Sequence, residues 1–437
     1  MKKNDILTGI CSAYDHEGRG IINVEEQYFV VPYVLRNETI QFRVLKLNKR
    51  LSYGKLESIV VSSKERRTPP CPYFMKCGGC HLQHMSEKEQ AYLKESFVAD
   101  NIKKIAQVDC EVAPILQGSN IAYRNKAQFL VQFIHGELHI GMYRKHSHDI
   151  INIDYCLIQS EHINQVLRFM KHNLQKEKFA RYIKHLLVKH AVFTNTLMLV
   201  FVANKELMIP PIFINKILQE IPEIKSIQVN LNSQNTNVIL GKTNKLVYGD
   251  AYIFDELDAL RFRLSLFSFY QVNSYQTKVL YQMAIQLLNL QGNEKVVELF
   301  SGIGTISLYL APYVASVQAV EIIEDAVRDA NVNKQLNSIE NVKFVCGDAT
   351  KYSETVSDLV DIVVVDPPRK GLSEMAIASI KKIGPSQILY ISCNPSTLAR
   401  DISLLKDRYV CEGVQPVDMF PFTYHVETVV LMSRVDK

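Results

Sequence analysis

Long apolar runs are missing from this sequence. The most apolar stretches, such as Ile362–Val365 and Ile388–Ser392, are only strand length, far short of the roughly 20 residues a membrane-spanning helix needs. The first residues are basic but lack the apolar stretch of a secretory leader. A secreted or membrane protein is therefore not expected, and the chain is read as cytoplasmic. Cysteine is scarce as well. Nine in 437 residues is too sparse for a disulfide scaffold, and the number is odd. With no export signal they read as thiols, metal ligands or nucleophiles. Repeats and low-complexity tracts are absent.

What is present fits a multidomain α/β protein. The length implies two to four domains at roughly 100–200 residues each. Hydrophobic residues make 47% and charged residues 22%, ordinary for a globular chain. The net charge of +5 is uneven: residues 1–64 carry 10 Lys/Arg against 7 Asp/Glu, and residues 121–190 carry 11 against 5. Residues 263–437 carry 16 against 19. A basic front half suits a polyanionic partner, although solvated faces would look the same.

Residues 1–64 read as five short strands (Ile6–Ala13, Gly20–Val24, Tyr28–Val34, Glu38–Leu47, Gly54–Val61) broken by turns such as Asp15–Gly18. That is the pattern of a small OB-like barrel, a fold that commonly binds nucleic acid. Thr68–Pro70 reads as a linker. Cys71, Cys77 and Cys80 crowd into ten residues, and Glu87–Ile105 is helix-like. Residues 65–262 otherwise read as a central α+β domain, with basic strands and one long helix near Glu161–Glu177. From residue 263 the pattern becomes strand–helix alternation, with strands at Lys295–Phe300, Ser316–Glu321, Lys343–Cys346, Ile362–Asp366, Gln387–Ser392 and Val414–Met419. This is a doubly wound, Rossmann-like sheet, whose ligands sit beyond the carboxyl ends of its strands.

The chemistry-bearing residues fall at those ends. Phe300–Ser301–Gly302–Ile303–Gly304 is a glycine turn between strand and helix, but Ser307 stands where a dinucleotide fingerprint needs a third glycine. Glu321 ends the next strand, placed to accept from ribose hydroxyls, and Asp348 ends the third, where an adenine would lie. Asp366–Pro367–Pro368–Arg369 ends the fourth; tandem prolines stop a sheet but do not explain the flanking acid and base. Cys393 follows the fifth, beside Asn394–Pro395, placed to act as a nucleophile. Cys11 and Cys346, inside strands, read as inert core thiols. Tyr424–His425–Val426–Glu427–Thr428 brings an imidazole and a carboxylate back to the same edge.

Ser268–Asn273, the glycine turn, Asp366–Gly371, Ser392–Pro395 and His425–Thr428 stand in the order found in RumA/TrmA-type RNA uracil-5-methyltransferases, which the whole chain resembles. Ser301 departs from the cysteine often found there. The resemblance implies a 5-methyluridine-forming enzyme that uses S-adenosylmethionine, with Gln271, Phe300, Glu321 and Asp366 at the cofactor and Asp366 also near the uracil. It also implies an N-terminal TRAM domain. Cys71, Cys77, Cys80 and a fourth cysteine, Cys156 ahead of Cys110, would form an iron–sulfur segment. Spacing alone leaves zinc and iron–sulfur even; the resemblance implies a [4Fe–4S] cluster, with His81 and His84 outside the ligand set.

The chemistry is consistent with this. Uracil C5 is a weak nucleophile until a thiolate adds to C6, and a base must then remove the C5 proton. Cys393 and Glu427 are the candidates, with His425 the rival base, because alternation puts both on one face. The expected substrate is 23S rRNA, from the barrel and the cysteine segment, bound by a monomer. A tRNA substrate is the alternative. A non-catalytic RNA-binding protein would have no reason to hold both Cys393 and Glu427. A radical enzyme would want a C-x3-C-x2-C run, not the gap of five found here.

Overall fold

The structure, a computed structural model, describes residues 1–435 apart from 146, 235, 237 and 353–358. Five strands, β1 (Ile6–Tyr14), β2 (Gly20–Val24), β3 (Gln27–Val31), β4 (Thr39–Lys46) and β5 (Ser52–Val61), close into a barrel in the order β1-β2-β3-β5-β4. Alternate side chains point inward, and Cys11, Ile22, Phe29, Ile40 and Phe42 fill it. The barrel is fastened to the segment between residues 66 and 93. Arg66 donates to buried Glu38 at 2.5 and 2.7 Å. Tyr14 donates to Glu89 at 2.6 Å, and Leu35 packs with Leu82, Met85 and Leu93.

Helix α1 (Glu87–Asn101) starts where Ser86 accepts from the Glu89 amide at 3.2 Å, and runs on into a wider turn to Ala106. Its Val98, with Ile102 and Ala106 beyond it, packs into the C-terminal core, and Lys94 pairs with Asp418 at 2.6 Å in full burial. The core of the C-terminal sheet thus takes in residues that precede position 263.

The central sheet holds β6 (Lys126–Ile134), β7 (Glu137–Tyr143), β8 (Ile150–Asn152), β9 (Ile183–Ala191), β10 (Thr196–Ala203), β11 (Ile224–Leu231) and β12 (Thr243–Gly249), ordered β12-β11-β10-β9-β6-β7-β8. Only the β10–β11 pair is parallel, joined through α3 (Pro211–Glu220). Helices α2 (Glu161–Leu174) and α3 cover one face. On the other, Leu187, Met198 and Val200 join the C-terminal core. A hairpin, β13 (Tyr252–Leu257) and β14 (Leu260–Ser265), leads out.

The C-terminal part runs α4 (Ser274–Leu288), β15 (Lys295–Leu299), α5 (Thr305–Leu310), β16 (Ser316–Glu321), α6 (Glu324–Leu336), β17 (Val342–Cys346), β18 (Ile362–Val365), α7 (Glu374–Ile383), β19 (Gln387–Ser392), α8 (Pro395–Leu405), β20 (Tyr409–Val417) and β21 (Glu427–Arg434). The order is β17-β16-β15-β18-β19-β21-β20, with β21 antiparallel to both neighbours. Strand order reverses between β15 and β18, so a crevice opens at their carboxyl ends. Two expectations change here. The strand expected at Val414–Met419 runs instead over Tyr409–Val417, while the last strand, expected at Val429–Met432, extends over Glu427–Arg434. Cys346 is exposed, at the end of the edge strand β17, whereas Cys11 is buried as expected. Among the described residues no helix is long and apolar enough to cross a membrane.

Candidate active site

The crevice is a cavity of about 430 Å³ at the reversal point. Loops after β15, β18 and β19 and the start of β21 help to build it. After β15 the chain passes through Phe300 and Gly304 in the left-handed region, at φ 66° and 82°, to start α5. A Cβ at 304 would collide with the Phe344 ring, so glycine is required there. After β18, Asp366–Pro367–Pro368–Arg369 forms the turn, and Asn394 and Thr397 donate to the Arg369 carbonyl at 3.0 and 3.3 Å. After β19, Cys393 precedes Asn394, which caps α8 by accepting from the Ser396 amide. Pairing of Ser392 with Thr428 brings Cys393 and Glu427 to adjacent ends of β19 and β21.

Gln271, Phe300, Asp366, Arg369, Cys393 and Glu427 all line this one cavity. Glu321 stands at its rim instead, with its carboxylate accepting from the Gly302 and Ile323 amides at 3.0 and 2.9 Å. Asp348 is exposed, lies outside the cavity lining, and accepts from the Thr350 amide and hydroxyl. His425 also falls outside the lining. Its ring rests 3.3 Å from Arg369 and 4.4 Å from the Tyr424 ring centre. Burial, then the Arg369 charge, hold it down to about 3.

Glu298 was not anticipated. It is buried on β15, faces the cavity and accepts from Ser307. A single carboxylate inside an apolar strand at the reversal point was the available signal. Burial pushes it up to about 8. Burial also raises Asp366 and Glu427, and Glu427 further through the Asp366 charge. The Cys393 thiol is pushed up to about 11 by burial, then by Glu427 and Asp366, against the pull of Arg369. A cavity with three carboxyls held toward their neutral form suits a cationic ligand, which would favour their charged forms. Buried Ser301, also in its wall, has a hydroxyl with no partner among the described residues.

A second cavity, of about 300 Å³, is lined by Cys71, Cys77, Cys80 and Cys156. Asn164 of α2 holds Cys156 by two hydrogen bonds, 2.9 and 3.1 Å. Cys110 is elsewhere, a free thiol hydrogen-bonded with the Cys411 thiol. Among the described residues no three His, Cys, Asp or Glu side chains are grouped to hold a metal ion. His84 packs against Tyr33 and Phe74 rather than lining the thiol cavity. The two cavities share a wall, because Val272 lines one and Gln271 the other. Asn125 pins that wall, donating from its backbone to Val272 at 2.9 Å and from its side chain to Gln271 at 2.8 Å.

Comparison with known proteins fits this arrangement. A family model described as tRNA (uracil-5-)-methyltransferase matches residues 86–435. An uncharacterized RNA methyltransferase of Halalkalibacterium halodurans is 38% identical over 99% of this chain and 98% of its own. One from Staphylococcus aureus is 39% identical over 99% of both. Among solved structures, the Pyrococcus abyssi tRNA (uracil-54, C5)-methyltransferase in complex with S-adenosyl-L-homocysteine superposes with a TM-score of 0.78. It is 25% identical, covering 97% of this chain and 99% of that one.

Proposed function

This chain belongs to the tRNA (uracil-5-)-methyltransferase family, a family of S-adenosylmethionine-dependent RNA methyltransferases, and from that premise we propose that Cys393 and Glu427 are its nucleophile and base. The observation that carries this is their convergence, with Asp366 and Arg369, on one cavity at the reversal point of the sheet. S-adenosylmethionine supplies a methyl group on a positively charged sulfur. Gln271, Phe300 and Asp366 line the space it would take, and Glu321 would meet its ribose from the rim. Asp348 is the adenine-side candidate.

Cys393 Sγ adds to uracil C6. The C5–C6 double bond opens and its electrons move into an enolate at O4, so C5 can take the methyl group. Glu427 then accepts the C5 proton, the double bond re-forms, and the Cys393 sulfur leaves as thiolate. Arg369 supplies the positive charge beside Cys393 that favours this thiolate. A uracil reaches such a pocket only when splayed from its stack.

We further propose that Cys71, Cys77, Cys80 and Cys156 hold a [4Fe–4S] cluster. The support is that four thiols line one cavity, a donor set that suits an iron–sulfur cluster. Amide donors also point at these sulfurs, from Gly79 to Cys77 and from Ile158 and Gln159 to Cys156. The cluster would tie the 71–80 segment to Cys156 and shape the surface there, with no part in methyl transfer.

The inferred substrate is 23S rRNA, supported by the barrel and the cysteine segment, bound by a single chain. The second reading, tRNA, is favoured by the Pyrococcus abyssi enzyme, which matches this chain nearly end to end. Mapping 5-methyluridine in rRNA and tRNA from cells with and without the gene separates the two. For the chemistry, Cys393→Ala should abolish transfer and keep cofactor binding. RNA carrying 5-fluorouridine should accumulate a denaturant-stable adduct with the unaltered enzyme, because fluorine cannot leave as a proton. Normal turnover by the alanine variant would remove Cys393 from its role.

A further inference from the structure

We propose that a third cavity, across Tyr424–His425 from the catalytic one, binds a nucleotide flanking the target uridine; this rests on the RNA-methylating function proposed above. The cavity encloses about 610 Å³ where the β1–β2 turn of the barrel, the cysteine segment and the central sheet meet. Two ring pairs form its walls. Tyr143 and His148 meet at 6.0 Å, and His81 and Tyr424 at 4.6 Å. Such pairs offer flat apolar faces on which a base can stack.

His185 forms part of the wall, only 8% exposed, and its Nδ1 has no partner among the described residues. It lies on β9 two residues before Leu187, on the face turned to the C-terminal half. Burial holds its ring down to about 4, so at neutral pH it is uncharged. A neutral ring nitrogen with an unmet bond suits a base edge rather than a phosphate. Lys145, whose ammonium lies 5.2 Å from the Tyr33 ring centre, supplies the charge for a phosphate. Base face, base edge and phosphate each have a partner in one hollow.

Position relates the hollow to the reaction. Tyr424 lines it, and the next residue, His425, sits 3.3 Å from Arg369, which lines the catalytic cavity with Cys393. The partition is one residue thick. A uridine extruded into the catalytic cavity therefore leaves its neighbour in the chain beside the third.

The test uses short RNAs with a central uridine and each flanking base removed in turn, bound to the full-length protein with S-adenosylhomocysteine and followed by fluorescence anisotropy. Base removal at one flanking position should weaken binding about 10-fold, as loss of a stacked base does. His185→Ala and Tyr143→Ala should bind the intact RNA about that much more weakly and lose nothing further when that base is removed. Unchanged S-adenosylhomocysteine affinity shows that the variants are folded. Should His185→Ala fail that control, Tyr143→Ala, at a partly exposed ring, decides alone. Equal weakening of intact and base-depleted RNAs by the variants, or no sensitive flanking position in the unaltered protein, overturns the proposal. Because the readout is binding, a protein that shows this pattern yet forms no 5-methyluridine would refute the reaction and leave the subsite standing.

Discussion

Cys393 stands where a thiolate is hard to form, half-buried, its thiol raised to about 11 by burial first and then by Glu427 and Asp366. A thiol in that state is a poor nucleophile, so activation has to arrive with the ligands. A sulfonium in the same cavity favours the charged forms of Glu298, Asp366 and Glu427, all raised by burial, and lowers each of them. At neutral pH, binding of S-adenosylmethionine should therefore release about one proton. Calorimetry in buffers of different ionisation heat measures this, and S-adenosylhomocysteine, which lacks the sulfonium charge, should release fewer. Equal release by both ligands would sink the electrostatic account. The two catalytic groups can also be separated. Glu427→Gln should attack, methylate and then stall as a covalent methylated RNA complex, with turnover down about 10²–10⁴-fold. His425→Ala should not accumulate that complex, since its ring faces Arg369 and lies outside the cavity lining. Cys393 and Glu427 were legible in the sequence because each follows or opens a strand at the active edge. Glu298 was missed although it interrupts an apolar run, because it lies inside β15 and not at the strand end where ligands are expected.

At the scale of elements, α1 deserves a test of its own. Its Lys94 is fully buried, bonded to Asp418 at 2.6 Å and to the Phe420 carbonyl at 3.2 Å. The helix thereby grips the loop that carries Phe420 to the cavity and leads to Glu427. Lys94→Met should cost about 3–5 kcal/mol by stranding a buried carboxylate, measured by urea unfolding. Adding Asp418→Asn should recover much of the loss, whereas no recovery would assign the effect to packing. The sequence showed α1 as a helix but not whose core it joins, because its partners lie some three hundred residues away (|i−j| is 324 for the ion pair). Helix α3 went unread for another reason. It has no side-chain cap, starts on prolines and leaves Ile212 79% exposed, so its apolar stripe is blurred. The barrel strands, by contrast, were legible because turn residues separate every pair.

At the scale of the molecule, the thiol cavity makes a prediction that needs no substrate. Protein purified without oxygen should be brown and carry about four iron and four sulfide per chain. A colourless, active preparation with zinc would show that the wrong metal was chosen. The barrel has a consequence of a different kind. Tyr14–Glu89 at 2.6 Å and Arg66–Glu38 at 2.5 Å fasten it to the segment between residues 66 and 93. A barrel held in this way leaves most of the deformation to the nucleic acid. Breaking base pairs around the target then belongs to the encounter itself. Association with a hairpin should be slow and should quicken as its stem is weakened by mismatches, while the dissociation rate stays nearly constant.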